Sequence, residues 1–260
     1  MAATEMYGLS DTGIRRRHNE DCVKTIPARG IAVLADGMGG HQAGEVASAM
    51  AAEQIIRHLQ QATPSPEAPA AELLRQAVMA SNSEVFRTAG QRPECAGMAT
   101  TIVAALFHED KLCIAHIGDS RMYRLRDGIL THMTEDHSLV QEQLRLGLLT
   151  ADDAHRASNR NLVTRALGIE AEVKPDLIET GSRPDDLYLL CSDGLTGVVP
   201  DEAIRLILIE YGESLQRTAT ELVAMANDAG GPDNISVILV RTGHATKQAG
   251  RWSRLLGRHQ

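Results

Sequence analysis

Four aspartates of this sequence stand beside short apolar runs. Asp36 follows the run VLA, Asp193 follows LYLLCS and Asp119 follows AHIG, while Asp233 lies just before ISVILV. A single acid in such a position is ordinary turn chemistry. Several acids beside strands of one sheet would instead meet in one place, and that place is a candidate cation site.

The chemistry that such a cluster favours is metal binding. Carboxylates held within about 4–6 Å of one another repel, and their pKa values rise unless a cation lies between them. Mg²⁺ and Mn²⁺ prefer oxygen ligands and bind through a few carboxylates and several waters. The glycine after Asp36 and Asp193 lets the backbone approach closely, so that a carbonyl oxygen can become a ligand. Glu20 and Asp21 add an acidic pair near the N-terminus.

A nucleotide-binding turn is the main alternative for the stretch VLADGMGGHQAGEVA. The dinucleotide-binding pattern G-x-G-x-x-G would begin at Gly37 and continue at Gly39, but Gln42 occupies the third glycine position. A phosphate-binding loop needs Gly-Lys followed by Ser or Thr, and the sequence has no Gly-Lys pair. Both nucleotide hypotheses fail, which leaves the cation hypothesis for Asp36.

The elements that must position these acids fall into groups. Short apolar runs predict strands at Ile31–Ala35, Thr100–Phe107, Leu112–Ile117, Met122–Leu125, Ile129–His132, Asp186–Cys191 and Ile235–Arg241. Helical spacing predicts Ala43–Gln61, Ala71–Ala89, Asp201–Tyr211 and Leu215–Ala229. The gaps HEDK and RDG are too short for crossover helices, so the strands they join should be antiparallel. Grouped strands and grouped helices indicate an α+β fold in which helix pairs cover antiparallel sheets.

Two segments stand apart from this plan. Residues 138–175 show helical spacing, many polar residues and no clear strand, so we predict a small flap beside the site. Residues 244–260 contain four Lys or Arg and no acid, and we predict a basic, mobile tail after a domain over residues 1–243. Trp252 and Leu255 in that tail give only a weak signal for a membrane contact.

Composition narrows the class of protein. The formal net charge of −8 argues against a general nucleic-acid binder, which would show a basic face. The sequence has no signal-peptide pattern at its start and no run of about 18 apolar residues. Its cysteines lie far apart, which predicts reduced thiols in a cytoplasmic protein and no zinc site; they are Cys22, Cys95, Cys113 and Cys191.

The sequence also resembles a known family, the metal-dependent Ser/Thr protein phosphatases of the 2C type. The motifs that carry the resemblance occur in the family's order: SDTGIRRRHNED, VLADGMGGHQAGEVAS, GMATTIVAAL, AHIGDSRMYRL, NLVTRALG, LLCSDGLTGVV and GGPDNISVILV. They extend from Ser10 to Val240, nearly the whole chain, and an ordered set of this kind is highly specific. The short motif DGMGGH is similar to the bacterial branch of the family.

The resemblance implies a central antiparallel β-sandwich flanked by helix pairs on both sides, in α-β-β-α layers. It implies two Mn²⁺ or Mg²⁺ ions per chain. Asp36 would bridge both ions, and the Gly37 carbonyl would help to hold the second. Asp193 and Asp233 would complete the protein ligands of the first.

Further roles follow from the same resemblance. A third, weaker ion would lie near Asp119, and Glu20 and Asp21 would act through metal-bound waters. Arg16 would clamp the substrate phosphate. Many relatives have a histidine directly after the Asp-Gly of the second motif, where this chain has methionine, so the general acid is either His41 or a metal-bound water.

The activity implied is hydrolysis of phosphoserine and phosphothreonine in proteins. A hydroxide bridging the two ions would attack phosphorus in line with the leaving oxygen, without a phosphoenzyme. The implied partners are phosphorylated proteins, namely a bacterial Ser/Thr kinase and its substrates, in cytoplasmic signalling. No nucleic acid is expected.

Two other classes of function are alternatives. A binding module that has lost catalysis should lack a metal acid, yet every metal-ligand position is filled here. A metal-dependent phosphodiesterase or nuclease is disfavoured by the acidic charge and by the aromatic content of 3%, because single strands are held by stacking aromatics.

Overall fold

The structure, a computed structural model, describes residues 4–40, 43–65, 68–150, 153 and 162–243 of the 260. The strands in these ranges are β1 (Thr4–Asp11), β2 (Asp21–Ile26), β3 (Ile31–Met38), β4 (Ala99–Thr100), β5 (Ile102–His108), β6 (Lys111–Ile117), β7 (Arg121–Arg126), β8 (Ile129–His132), β9 (Asp176–Gly181), β10 (Leu187–Cys191) and β11 (Ile235–Thr242). The helices are α1 (Ala43–Gln61), α2 (Ala70–Gln91), α3 (Leu139–Arg145), α4 (Asp193–Thr196), α5 (Asp201–Tyr211) and α6 (Leu215–Asp228).

The strands form two antiparallel sheets. One sheet has the order β1-β11-β10-β7-β8, and the other has β2-β3-β5-β6-β9 with β4 paired to the end of β3. The gaps HEDK and RDG make hairpins β5–β6 and β7–β8, as predicted. The connection from β6 to β7 through Gly118, Asp119 and Ser120 crosses from one sheet to the other.

Three apolar clusters make this a four-layer molecule. Leu34, Ile114 and Tyr188 belong to the cluster between the two sheets. A second cluster joins the outer face of the β3 sheet to α1 and α2, and a third joins the outer face of the β10 sheet to α5 and α6. The predicted α+β fold, a β-sandwich flanked by helix pairs, is therefore confirmed.

Helix α1 shows how the sequence produces this packing. Ala47, Ala51, Ile55 and Leu59 recur every four residues and are all buried, so they form one continuous stripe. The alanines at the start of the stripe are small, which lets the helix approach the sheet beside Asp36. The helix ends before the proline-rich segment TPSPEAP, as predicted.

The sequence-based prediction missed three strands, which are β1, β2 and β9. Their residues are mostly half-buried or exposed, and they carry no strong apolar run. The prediction also ended β3 at Ala35, whereas the strand continues to Met38 because Gly37 and Met38 pair with Thr100 and Ala99 of β4. Within the flap segment the structure describes helix α3. Its N-cap is Ser138, whose side chain accepts a hydrogen bond from the Gln141 N–H.

The predicted tail over 244–260 lies outside the described residues. All four cysteines lie within them and carry free thiols. None of the helices in the described ranges is long and apolar enough to cross a membrane.

Candidate active site

The predicted acids meet at one end of the sandwich. Asp36 in β3 pairs with Asp21, the first residue of β2. In the other sheet Asp193 follows β10 and opens α4, while Asp233 lies just before β11. Asp119 lies on the crossing from β6 to β7. We call Asp21, Asp36, Asp119, Asp193 and Asp233 the carboxylate cluster.

The Asp36 carboxyl group lies at the centre of this cluster, against those of Asp21 and Asp193. Burial, and then repulsion from the other four carboxylates, raises the pKa of Asp36 well above its ordinary value. Burial of the Asp193 carboxyl group, and then repulsion from Asp119 and Asp233, raises its pKa to about 7. These acids therefore cannot all be ionised at neutral pH unless positive charge compensates them.

The donor set fits hard divalent cations. Its oxygens are carboxylate oxygens, and Oδ1 of Asp21 is buried without a hydrogen-bond partner although its Oδ2 accepts from the Ser192 hydroxyl at 2.8 Å. The strand pairing and the mutual electrostatic effects place the carboxylates near one another, although no three His, Cys, Asp or Glu side chains in the described ranges are arranged as a ligand set around one point.

Gly37 lies where a close backbone approach requires glycine. Its N–H donates to the Glu20 carbonyl at 3.1 Å, and a Cβ added here would lie only 2.1 Å from the Gly44 carbonyl oxygen. The start of α1 therefore packs directly against the backbone that follows Asp36. Burial raises the pKa of the Glu20 side chain, which lies against Gly44 at the same place.

Arg16 contacts the carboxylate cluster and is half-exposed to solvent. Its Nη2 donates to Oδ2 of Asp233 at 2.6 Å, and its side chain is 50% exposed. An arginine that touches the cluster and also faces solvent is placed to contact a phosphate there, because its guanidinium group has several donors in a fixed plane.

Asp119 is 7% exposed, and burial raises its pKa to about 6, with Asp136 adding to the effect. Thr101 connects this loop to Asp36. The Thr101 N–H donates to the Asp36 carbonyl at 2.9 Å, its hydroxyl accepts from the Asp36 N–H at 3.1 Å, and the same hydroxyl pairs with that of Ser120 at 2.8 Å.

Sequence reasoning missed Thr101 and Ser192, and it expected Asn234 only to orient Asp233. Asn234 accepts the Glu20 N–H at 2.8 Å and donates to the Thr12 and His18 carbonyls, so its side chain holds both ends of the loop that carries Arg16. Thr101 and Ser192 lie within the motifs given above, but no feature of a single sequence distinguishes them from other buried polar residues.

The structure thus brings together six of the predicted site residues directly, namely Asp21, Asp36, Asp119, Asp193, Asp233 and Arg16, and it places Glu20 and Gly37 beside them. The predicted general acid His41 lies outside the described residues. Roles for these residues remain predictions at this point.

Comparison with protein families gives one match over most of the chain. A family profile described as "Protein phosphatase 2C" matches residues 16–236. Among individual proteins, the chain is similar to the serine/threonine phosphatase stp of Listeria monocytogenes, with 39% identity over 235 residues that cover 89% of this chain and 93% of that protein. It is 44% identical over 235 residues to the serine/threonine protein phosphatase PstP of Mycobacterium tuberculosis, covering 88% of this chain and 43% of PstP.

Solved structures give the same result. A crystal structure of the Mycobacterium tuberculosis phosphatase PstP/Ppp matches with a TM-score of 0.87 and 39% identity, covering 94% of this chain and 100% of that one. A structure of the PstP catalytic domain in complex with two manganese ions matches with a TM-score of 0.85 and 38% identity, with coverage of 94% and 100%.

Proposed function

Because the chain belongs to the protein phosphatase 2C family, we propose that the carboxylate cluster is its catalytic metal centre. The protein is a metal-dependent serine/threonine phosphatase that hydrolyses phosphate monoesters, and its cofactors are two Mn²⁺ or Mg²⁺ ions. The observation that carries the assignment to this pocket is the buried Asp36 carboxyl group, which has like charges around it and a pKa raised well above its ordinary value. Such a group needs cations to be ionised at neutral pH.

Within this centre we assign Asp36 as the residue that would contribute to holding both ions. Asp193 and Asp233 would hold the first ion, and the Gly37 carbonyl would help to hold the second. When bound, the ions supply Lewis acidity and make a water nucleophilic at neutral pH. Asp119 with Asp193 would hold a third, weaker ion, and Glu20 and Asp21 would accept hydrogen bonds from waters around the ions.

The side chains of the pocket then orient the substrate. Arg16 exchanges its bond to Asp233 for bonds to two phosphate oxygens, where it stabilises the charge of the transition state. The loop that carries Arg16 is fixed by Asn234, so the guanidinium group is positioned before substrate arrives. His41 or a water donates a proton to the leaving Ser or Thr oxygen.

The substrates are phosphorylated proteins of a bacterial Ser/Thr kinase pathway in the cytoplasm, and the kinase itself is among them. Residues 1–243 form the catalytic domain and residues 244–260 a separate basic tail. The flap segment, residues 138–175, contributes to the choice of substrate because loops carry specificity on a fixed scaffold.

The test is an assay of phosphate release from a phosphothreonine peptide. We expect turnover with Mn²⁺, loss of turnover after EDTA, and recovery when Mn²⁺ is restored. Turnover that persists in EDTA would contradict the metal mechanism.

Two substrates distinguish the alternative classes. Hydrolysis of a phosphodiester such as bis-p-nitrophenyl phosphate in place of the phosphopeptide would favour the phosphodiesterase alternative. Binding of the phosphopeptide without any phosphate release would favour a module that has lost catalysis.

A further inference from the structure

His137, which lies in none of the motifs given above, makes two hydrogen bonds with Gly118, the residue directly before Asp119. His137 is the donor in one of these bonds and the acceptor in the other. Its backbone N–H donates to the Gly118 carbonyl at 2.8 Å, and its ring Nδ1 accepts the Gly118 N–H at 3.0 Å. The residue is only 8% exposed. A pair of bonds of this kind fixes both the place and the orientation of the peptide groups around Gly118.

The geometry determines the tautomer of the ring. Because Nδ1 accepts a hydrogen bond, the proton of the neutral ring is on Nε2, which donates to Oδ2 of Asp176 at 3.1 Å. Arg165 Nη1 lies 2.8 Å from the same nitrogen, but it is also a donor, so it pairs with Oδ1 of Asp176 at 2.9 Å. Burial lowers the pKa of His137; Arg165 lowers it further while Asp176 opposes this, and the ring is neutral.

Gly118 is a position where small displacements reach Asp119 directly. Its φ of +110° is in the region that favours glycine, and an added Cβ would lie 2.6 Å from the Thr101 Cβ. The segment from Gly118 to Ser120 is thus held on one side by Thr101, which is bonded to Asp36, and on the other side by His137. Of these two residues, His137 lies directly before residue 138, where the flap segment begins.

The two described ends of the flap segment meet at His137. The His137 carbonyl accepts the Thr164 N–H at 2.8 Å, and Ser138 forms an isolated bridge with Val163. The Leu139 N–H donates to the Leu162 carbonyl at 2.9 Å. A shift of either flap end must therefore move His137, and through it Gly118 and Asp119.

We propose that His137 is a positioning residue for Asp119, and that it couples the position of the flap ends to this carboxylate. The inference rests on the proposed function, in which Asp119 holds the third, weaker ion. His137 itself contacts neither ions nor substrate. Its effect is on how well Asp119 is placed when the flap ends are engaged by a phosphoprotein.

The test uses three variants of the full chain. H137F keeps a ring that can stack on His116, whose centroid lies 4.7 Å away, but it removes the Nδ1 acceptor and the Nε2 donor. H137N restores an acceptor close to the place of Nδ1. H132F is the matched control, because His132 stacks on Tyr123 in the neighbouring strand and makes no bond to residues 118–120.

The first measurement is Mn²⁺ binding by calorimetry. For H137F we expect the affinity of the weakest site to fall about tenfold, as for loss of a residue that orients a metal ligand, while the two tighter sites keep their affinities. H137N should recover most of the loss, and H132F should bind Mn²⁺ as the original chain does. Equal weakening of all sites together with a lower Tm would mean that His137 only supports the fold, and would overturn the proposal.

The second measurement separates this proposal from the proposed function. We expect H137F and D119N each to lower kcat/KM for a phosphopeptide, and H137F to add nothing in the D119N background. If D119N has no effect on Mn²⁺ binding or kcat/KM, the assignment of Asp119 fails. If D119N has an effect but H137F has none, or the two effects simply add, the assignment of Asp119 stands and that of His137 is wrong.

A spectroscopic measurement on the metal-free chain tests the contact itself. The amide signal of Gly118 should shift and exchange faster with solvent in H137F, and it should stay close to its original position in H137N. An unchanged Gly118 amide in H137F would overturn the proposal independently of any metal.

Discussion

Strand β10 has an aspartate at each end, and the two differ in what surrounds them. Asp186, just before the strand, is 2% exposed and accepts hydrogen bonds from Arg126 at 2.6 and 2.5 Å, from the Arg183 N–H at 2.7 Å and from the Tyr188 hydroxyl at 3.0 Å. Burial alone would raise its pKa, but these donors hold it below the ordinary value. Asp193, just after the strand, faces other carboxylates, and its pKa is raised to about 7.

The groups that surround a buried carboxylate indicate its role in the protein. A buried carboxylate must be compensated by positive charge or become protonated. At the Asp186 end the chain supplies an arginine, and the result is a structural ion pair. At the Asp193 end the arginine that the chain supplies, Arg16, is half-exposed and bonded to Asp233, so the cluster is left for external cations.

The largest effect is expected for D193N. The substitution keeps the shape of the side chain but removes the charge of a proposed metal ligand, so kcat with Mn²⁺ should fall by about 10³-fold, equivalent to about 4 kcal/mol of transition-state stabilisation. The Tm of the metal-free chain should not fall, because a repulsive charge has been removed. Steady-state kinetics and thermal unfolding in EDTA measure the two quantities. Unchanged kcat at saturating Mn²⁺ would refute the place assigned to Asp193.

The opposite pattern is expected for D186N. It leaves the Arg126 guanidinium without its buried counter-charge, so the free energy of unfolding should fall by about 3 kcal/mol. The kcat of the folded protein at 25 °C should stay within about twofold of the original value, since Asp186 is at the far end of β10. Urea unfolding and kinetics are the measurements. D185N, at the exposed neighbour, is the control; a loss of kcat in D186N larger than the loss in D193N would reverse the comparison.

Addition of Mn²⁺ should stabilise only an intact cluster. An ion that binds the folded chain alone raises the free energy of unfolding by about 2.7 kcal/mol at 100 times its Kd. We expect this increase in the original chain and in D186N, and a smaller one in D193N. Urea unfolding with Mn²⁺ and with EDTA measures it. An equal increase in all three chains would place the ions elsewhere.

Removal of the Arg16 side chain should affect catalysis more than stability. In R16A the exposed ion pair with Asp233 is lost, which should change the free energy of unfolding by less than about 1 kcal/mol. The kcat/KM for a phosphopeptide should fall about tenfold to hundredfold, because a charged hydrogen bond to phosphate is lost. R16K keeps the charge without the planar group and should recover only part of this loss. Full activity in R16A would remove Arg16 from the phosphate site.

The smallest effect is a pH dependence at the Asp186 end. Since the folded-state pKa of Asp186 is lowered, its contribution is fully present above the unfolded-state value of about 3.9 and is lost as pH falls through the folded-state value. The difference in unfolding free energy between the original chain and D186N should therefore be constant from pH 7 to 5 and shrink below about pH 4. Urea unfolding across this range measures it. A difference that grows as pH falls would contradict the ion pair.

Much of the fold could be predicted from the sequence, and the failures have a common cause. The predicted bounds of α1 and α5 agree with the structure because each has a clear apolar stripe and a proline or glycine at its end. Strands β1, β2 and β9 were missed because each is half-buried at or near a sheet edge, where pairing with a neighbour and not apolar content makes the strand.

The site was predictable to a different degree. The acids could be found because several of them recur beside strands, which is uncommon, although a single Asp-Gly pair is ordinary turn chemistry. Apart from Asn234, which was expected only to orient Asp233, the residues that hold them could not, because Thr101 and His137 act through hydrogen bonds to residues distant in sequence. A bond such as that from Asn234 to Thr12 becomes visible only when strand pairing is known.

Strand β11 comes after every other described element along the chain, yet it lies between β1 and β10 in its sheet. During synthesis on the ribosome, the body of the protein is therefore translated before the piece that fills the middle of one layer and carries Asp233. A chain interrupted before Asp233 would lack one proposed metal ligand, and the sides of β1 and β10 that face β11 would be left without their hydrogen-bond partner.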